Sequence, residues 1–467
     1  MKTFINSFIN EKKKLLLIGD ILLVFIAFFL AVSLKVAVSE DFSFKLIMAK
    51  VDWMVILWML LYPIIFYIFE LYNQDIFKKN TKLILYISSA VLIATGIIAL
   101  FSYLFIPHII IGRTILFLHS VITIPLIFFW RKIFERVFLK EHAKQDKILV
   151  IGNSPIVNDI ESIIQKGNDI IPNSLTVIRE YSENPGTVYI NGSTSSKSIL
   201  ELITDRKIST VVVADNIKDF PLLKKQLLDL KFRGITIYDA PYFYEALTGK
   251  VPIAYIKDSW FLFRNQGEKF NSLTYRKIKK VCDALLALSG IILSLPLMLL
   301  CAVAIKLSSK SPVFFKQERL GQNEKPFTLL KFRTMIDNAE KDTGPKWADK
   351  NDSRITKLGK FLRTSHFDEL PQLFNVLKGE ISFVGPRPIR KYFEDENAKS
   401  IPFYNLRHIV RPGITGWAQV QYFDPRAETG PLERLEYDLY YIQNQSIFFD
   451  LFIILKTVQT ILFRKGQ

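Results

Sequence analysis

The sequence predicts a membrane α-helical bundle joined to α/β structure, and three observations carry that reading. Half of the 467 residues are hydrophobic and the mean hydropathy is +0.22, a balance that suits a chain lying partly in lipid. Four apolar segments of nearly bilayer-crossing length fill the N-terminal part. Behind them, short β-branched runs alternate with helical patterns, as in a parallel sheet covered by helices.

The apolar segments run over 15–34, 52–72, 82–106 and 109–130, each about long enough to cross a bilayer as a helix. Lys12, Lys13 and Lys14 precede the first, Lys78, Lys79 and Lys82 lie around the second loop, and Arg131, Lys132, Arg136 and Lys140 follow the fourth. The opposite loops are poorer in Lys and Arg, so both ends of a four-helix bundle over 1–140 belong in the cytoplasm. The N-terminus, basic and then apolar, has no evident small-residue cleavage site and reads as a retained first span. His119 is the main polar oddity in the bundle, and an interhelical hydrogen bond explains it more simply than a proton relay. The net charge is +17, which suits anionic lipid, phosphorylated substrates or nucleic acid; the apolar spans favour lipid and phosphate and argue against nucleic acid. Cys282 and Cys301 form no C-x-x-C pair, so neither zinc nor a disulfide framework is indicated.

Residues 147–240 change character. KILVIGNSP, TVVVAD near 210–215 and GITIYDA near 234–240 read as strands with helical patterns between them, a Rossmann-like α/β domain. Gly152 follows the first strand, but Ser154 and Pro155 occupy the expected glycine region. The pyrophosphate cradle needs those glycines for close backbone approach, so the domain is expected to be degenerate, structural or regulatory. An aromatic-rich connector over 241–274 follows.

The next apolar stretch, a helix over 281–306, is long enough to span. Two features argue for a re-entrant helix instead. Arg276, Lys277, Lys279 and Lys280 precede it and Lys306, Lys310 and Lys316 follow it, whereas a true span is asymmetric. Ser294 and Pro296 lie at its centre, where proline removes a backbone donor. The alternative is a proline-kinked fifth span, which would put every later residue outside.

From 312 onward the chain is rich in charges and turn residues. QERLGQNEKPFTLLKFRTM gathers Arg319, Lys331 and Arg333 around a hairpin pattern, RPGITGWAQV carries Arg411 on a glycine-rich turn, and LEYDLYYIQNQS holds Asp438. The tail, IFFDLFIILKTVQTILFRK, has the amphipathic spacing of a helix on a membrane surface, although core packing fits nearly as well. The organising stretch is LRTSHFDELPQLFNVLKGEISFVGPRP, residues 362–388. Leu370, Leu373, Val376 and Leu377 mark one helical face. Ser365 with Asp368 three residues on matches a helix-start signature, which predicts Asp368 and Glu369 in a first turn, where backbone N–H groups and the dipole favour anions. Pro371 is awkward beyond that turn. Gly-Pro-Arg-Pro then fixes Arg387 nearby. Adjacent carboxylates with a guanidinium suit a metal-bound phosphate substrate; the plainer reading makes them ordinary N-terminal helix acids. No P-loop, H-E-x-x-H, G-x-S-x-G or kinase set is present. A carboxylate pair with several Arg and Lys at a membrane surface points to phosphoryl-group transfer between a soluble and a lipid substrate.

The C-terminal part, 275–467, resembles the bacterial sugar transferases, the polyprenyl-phosphate hexose-1-phosphate transferases also called monotopic phosphoglycosyl transferases. The matching pieces are basic residues then Asp283, the Ser294–Pro296 break, PVFFKQERLG, FTLLKFRTM, DELPQLFNVLKGEISFVGPRP, RPGITGWAQV and EYDLYY. The spans and degenerate domain resemble the large members. The resemblance implies that a re-entrant-helix-anchored α/β catalytic domain moves a sugar-1-phosphate from a UDP-sugar to undecaprenyl phosphate on the cytoplasmic face of the inner membrane. It makes Asp368 the nucleophile, forming a phosphosugar-aspartyl enzyme, and gives Glu369 to Mg²⁺. Lys331, Arg333, Arg387, Arg411 and Arg319 are candidates for phosphate contact, with structural ion pairing as the alternative for each. Asp438 matches a later acidic position. The resemblance implies a homodimer and a place in surface polysaccharide or glycoconjugate biosynthesis. The chain departs from the commoner pattern at His366-Phe367, at Glu324 where Gly is common, and at Gln421-Tyr422; the last leaves the sugar open. Two rivals remain: a non-enzymatic scaffold of polysaccharide assembly, and a membrane nucleotide-sugar dehydratase, for which Tyr275 and Lys279 have the Tyr-x-x-x-Lys spacing without the glycine fingerprint.

Overall fold

The computed structural model describes residues 5–38, 58–72, 80–105, 113–139, 147–166, 175–181, 188–190, 193–195, 199–214, 220–256, 273–308, 312–337, 339, 352–421 and 430–463. The chain forms two compact units, Met1–Thr248 and Gly249–Gln467.

In the first unit, α1 (Ile5–Val38), α2 (Leu61–Ile68), α3 (Asn80–Phe105) and α4 (Arg113–Phe134) pack together, with α4 against both α1 and α3. Lys13–Val38, Asn80–Ser102 and Arg113–Val137 are long and apolar enough to cross a membrane. The first six residues of the expected second span, 52–72, lie outside the described residues; in the remainder α2 covers 8 residues and is capped by Phe69, one residue before Glu70 at φ 58°. The bundle interior holds two polar clusters. His119 Nδ1 meets Tyr62 Oη at 3.1 Å and Nε2 meets Val24 O at 3.2 Å, the interhelical bonding expected of it. Arg131 donates both terminal nitrogens to Asp20, at 2.6 and 2.7 Å, with both side chains fully buried. A paired charge of this kind pins the register of α1 on α4.

The same unit contains a six-stranded sheet in the order β4-β3-β2-β1-β5-β6. The strands are β1 (Lys147–Ile151), β2 (Leu175–Tyr181), β3 (Val188–Ile190), β4 (Ser193–Ser195), β5 (Ile208–Val213) and β6 (Thr236–Asp239). β2-β1-β5-β6 are parallel, and β3 and β4 form an antiparallel edge. Helices α5 (Ile156–Lys166), α6 (Ile199–Arg206), α7 (Pro221–Phe232) and α8 (Ala240–Thr248) accompany it. Leu202 and Leu227 from these helices pack with Leu149, Val211 and Val213 of the sheet, which is why β1 and β5 read as unbroken apolar runs. After β1 the backbone N–H of Gly152 bonds Ile178 O at 2.9 Å, within the sheet.

The second unit begins inside the expected connector. Val251 and Ile253 join a core with Tyr404, Trp417, Leu435 and Tyr437, and 257–272 lies outside the described residues. Helix α9 (Leu273–Ser308) is continuous over 36 residues with Pro296 inside it. The expected central break is therefore absent as a change of secondary structure. Proline withholds one N–H, and Ser294 Oγ donates to Gly290 O at 2.6 Å without ending the helix. α9 is the fourth helix long and apolar enough to cross a membrane. One face is exposed and apolar, through Leu285, Ile292, Leu293, Leu299, Leu300 and Val303. The other packs along its length on the same unit: Ala287 against Leu329, Val376 and Ile381, and Met298, Cys301 and Ile305 against Phe332 and Leu362.

The hairpin β7 (Phe314–Leu320) and β8 (Pro326–Phe332) is antiparallel. Its turn holds Asn323 at φ 53° and Glu324 at φ 60°. A left-handed Glu is strained where Gly is at ease, so Glu324→Gly is expected to raise stability by about 1 kcal/mol, read as a rise in Tm. The remaining elements are α10 (Lys357–Thr364), α11 (Gln372–Lys378), β9 (Ser382–Val384), α12 (Lys391–Ser400), β10 (Gly413–Thr415), α13 (Trp417–Val420), α14 (Gly430–Gln443) and α15 (Ile447–Phe463). β9 and β10 pair in parallel. On α15, Ile453 is buried while Phe448, Leu451 and Leu462 are exposed.

Candidate active site

Helix α10 starts at Thr356, whose hydroxyl accepts the Gly359 N–H at 2.9 Å, and packs against the end of β8. A Cβ on Gly359 would fall 2.0 Å from Thr334 O, so only glycine permits that approach. Ser365 closes this helix: its hydroxyl donates back to Phe361 O at 2.9 Å. It is therefore a C-terminal residue and not the N-cap that its spacing to Asp368 predicted. His366 then adopts φ 57°, and Phe367–Glu369 form a single 3-10 turn. Pro371 is the N-cap of α11, a place where its missing N–H costs little. The two acids thus sit in a tight turn between helices, ahead of the first α-helical turn. The predicted apolar face is half right. Leu373 and Val376 are buried, but Leu377 is 44% exposed, and Asn375 takes the inward place. It accepts from Leu330 N at 3.0 Å and donates to Thr328 O at 2.8 Å, latching α11 to the strand that carries Lys331.

Lys331 Nζ reaches Glu369 Oε1 at 2.7 Å and Arg387 reaches the same oxygen at 3.0 Å. Burial pushes the Glu369 carboxyl up, but these two cations outweigh it and hold the group ionised well below the usual carboxylate range. Asp368 differs. It is 7% exposed, accepts no hydrogen bond from the described residues, and burial pushes its carboxyl up, opposed by Lys331 and Arg363 and reinforced by Glu369. One acid is locked and its neighbour is bare.

Arg387 is delivered by a turn that only glycines can build. Gly385 N bonds Thr415 O and Gly413 N bonds Pro386 O, each at 2.9 Å. A Cβ on Gly413 would lie 2.1 Å from Gly385 N, and one on Gly416 would lie 2.3 Å from Gly385 O. From below, Arg407 donates to Arg387 O at 3.0 Å.

The structure thus gathers Asp368, Glu369, Lys331 and Arg387. The other predicted residues are engaged elsewhere. Arg411 pairs with Asp283 at 3.2 Å, Arg333 with Asp337, and Arg319 with Gln317 and, at 3.5 Å, Pro388 O. Asp438 is buried and bonds Arg407 at 2.9 Å. Sequence reading missed Arg363, whose charge acts on Asp368 and whose Nε donates to Thr334 at 2.8 Å; it stands five residues before the acid, inside a pattern read as a helix start. It also missed Arg407, which lies outside the quoted motifs, and Asn375, which lies inside DELPQLFNVLKGEISFVGPRP between positions read as an apolar face. Tyr275 and Lys279, the dehydratase-like pair, both bond Asp450 Oδ2, at 3.0 and 2.7 Å.

Among the described residues no three His, Cys, Asp or Glu side chains cluster as a metal cage. The adjacent carboxylates fit the other mode, in which one or two acids hold Mg²⁺ and substrate phosphates and water complete its shell. Both cationic partners of Glu369 use Oε1, so its second oxygen is the one offered to such an ion.

A family model described as bacterial sugar transferase matches residues 274–464. The chain is 43% identical over 228 residues to a UDP-N-acetylgalactosamine-undecaprenyl-phosphate N-acetylgalactosaminephosphotransferase of Aeromonas hydrophila, covering 49% of this chain and 52% of that protein. It is 44% identical over 187 residues to a UDP-glucose:undecaprenyl-phosphate glucose-1-phosphate transferase of Escherichia coli K12, covering 39% and 40%. An exopolysaccharide production protein PSS of Rhizobium leguminosarum is 40% identical over 191 residues, covering 39% of this chain and 93% of that protein. The match thus spans about half, or less, of the first two relatives' lengths.

Proposed function

The chain belongs to the bacterial sugar transferase family, and on that premise we propose that it transfers a sugar-1-phosphate from a UDP-sugar to undecaprenyl phosphate and releases UMP. The observation that carries this is the unequal acid pair: Asp368 without a hydrogen-bond partner among the described residues, beside Glu369 fixed by Lys331 and Arg387. An ionised Asp368 oxygen attacks the phosphorus that bears the sugar. The bond to the bridging oxygen breaks and its electron pair leaves on UMP. An oxygen of undecaprenyl phosphate then attacks the aspartyl phosphorus, and the carboxylate is returned. Lys331 and Arg387 orient Glu369 and add positive charge near the phosphates. Mg²⁺ at Glu369 would neutralise charge on the diphosphate and the leaving group. Incubating the full chain with a panel of UDP-sugars and undecaprenyl phosphate is expected to release UMP with at least one sugar. No UMP with any of them would support the scaffold instead. The dehydratase reading is disfavoured by the engagement of Tyr275 and Lys279 with Asp450.

We further propose that α9 is re-entrant and keeps 312–467 on the cytoplasmic face of the inner membrane. Both halves of α9 pack on the same unit, an arrangement that is awkward for a helix whose ends lie on opposite sides of a bilayer, while its outer face suits lipid. Cysteines engineered between 312 and 320 in a background lacking Cys282 and Cys301 should escape an impermeant label added to spheroplasts; labelling there would make α9 a span. The α/β sheet with Gly152 tied into it supports a Rossmann-like domain without nucleotide. Exposed Leu228 and Phe232 on α7 offer a surface for a homodimer.

A further inference from the structure

We propose that Gln372 is a substrate-contacting residue, its side-chain amide donating a hydrogen bond to a phosphate oxygen of the UDP-sugar diphosphate. This rests on the transferase reading and adds a group outside the acid pair and its two cations. Gln372 opens α11, three residues after Glu369 and four after Asp368. Two residues of the next turn fix the direction of its side chain, because positions three and four apart share a helix face. Asn375 bonds the edge of β8 through Leu330 N and Thr328 O. Val376 packs with Leu329 of β8 and with Ile381. Gln372 therefore faces β8 as well, one turn nearer the acids. Beyond Leu330 on that strand comes Lys331, which reaches Glu369 at 2.7 Å, and Arg387 meets the same carboxylate at 3.0 Å. The amide of Gln372 is thereby directed at the space that Lys331, Glu369 and Arg387 enclose.

The two amides on this face differ in their bonding. Asn375 is fully buried and has both ends bonded, its nitrogen also to Glu380 at 2.6 Å. Gln372 is only 4% exposed and has no hydrogen-bond partner among the described residues. Its amide atoms are not among the polar atoms closed off from solvent, so a small group can reach them. A mostly buried amide without a partner costs free energy, and a ligand that supplies the partner removes that cost on binding. The surroundings select the ligand. Lys331 and Arg387 already donate to Glu369 Oε1, which leaves Gln372 as a donor not engaged within the protein. An amide donates without adding negative charge beside a diphosphate, whereas a third carboxylate there would repel it.

The test measures the rise in Tm that UDP with Mg²⁺ gives the full chain, which reports binding without turnover. UDP carries the diphosphate and no sugar. Gln372→Met keeps the length of the side chain and removes the donor; the Kd for UDP drawn from the Tm shift should rise about tenfold, the scale of a hydrogen bond to a charged group. Gln372→Glu keeps the length and an acceptor but no donor, and should lose at least as much. Without ligand, Gln372→Met should have the parent's Tm or a higher one, because no bond within the protein is lost. Asn375→Leu, which does lose such bonds, should fall by several degrees. The UMP burst at subsaturating UDP-sugar should fall in Gln372→Met by at least the same factor as binding. A Kd in Gln372→Met within about twofold of the parent's would overturn the contact and would mean that the amide meets water or the sugar. A Tm loss in Gln372→Met matching that of Asn375→Leu would overturn it too, by making the residue structural. A parent whose Tm does not respond to UDP would overturn both the contact and the transferase reading. A parent that binds UDP and yet releases no UMP would remove the transferase reading alone, because the change in Kd still decides the contact.

Discussion

Asp368→Asn is expected to abolish the proposed covalent step while leaving a protein that is at least as stable as the parent. With UDP-sugar and Mg²⁺ but no undecaprenyl phosphate, the parent should release about one UMP per site and gain one sugar-phosphate, the mark of a covalent intermediate. The asparagine amide is a very poor nucleophile, so neither should appear. Glu369→Gln should instead slow the same adduct by orders of magnitude, because several kcal/mol of charge stabilisation goes with the carboxylate, yet the adduct should form on long incubation. The stability effects have opposite signs. Asp368 has a carboxyl raised by burial, so its ionised form burdens the fold. That burden is complete above the raised value and gone below the ordinary carboxylate range, near 3.9. The asparagine variant should therefore gain stability at neutral pH and lose the gain in acid. Glu369 has a depressed carboxyl; its stabilisation is complete above the ordinary range and lost as pH falls through the depressed value. Its glutamine variant should lose about 2 kcal/mol at neutral pH, less than a fully buried pair because Arg387 is 43% exposed. The UMP burst should rise with pH as Asp368 ionises. An adduct mapped to another residue, or a parent enzyme that forms none, would remove the nucleophile from Asp368.

Much of this site was legible from residue order alone, and the illegible parts have physical reasons. The apolar runs marked α1, α3, α4 and α9 because length and hydropathy suffice for a helix in lipid. Of the run 52–72, residues 52–57 lie outside the described residues, and the helix in the remainder ends at Ile68, two residues before Glu70 at φ 58°. β1 and β5 were legible as buried β-branched runs and β6 as a short half-buried one, whereas β3 and β4, three residues each, are too short to show a period. The acid pair was found by its neighbours, but its setting was misread. Ser-x-x-Asp fits a helix start and also the tail of one helix running into a turn, and His366 at φ 57° decides for the latter. Pairing was the least legible feature. Nothing in EYDLYY tells whether Asp438 faces a phosphate or an arginine, since its partner lies 31 residues away.

That partner sets the second large effect. Arg407 is fully buried and gives hydrogen bonds to Glu394 at 2.9 Å, Tyr404 at 3.1 Å, Asp438 at 2.9 Å and Arg387 O at 3.0 Å. Arg407→Ala would leave two carboxylates buried without their cation. A loss of about 3–5 kcal/mol is expected, which in a unit of this size lowers Tm by roughly 10 °C or more. The damage should also reach chemistry, because the bond to Arg387 O supports the turn that brings the Arg387 side chain to Glu369. Arg407→Lys keeps the charge but cannot reproduce the planar fork that serves four acceptors, so it should restore part of the Tm and little of the UMP burst rate. Asp438→Asn keeps an acceptor for Arg407 and relieves a carboxyl that burial pushes up against the pull of Arg407 and Arg434; it should be the mildest of the three, with the KM for UDP-sugar nearly unchanged. A large rise in that KM with Tm intact would mean that Asp438 touches substrate. A lysine variant with the parent's Tm and burst rate would mean that the buried cluster does not hold Arg387 in place.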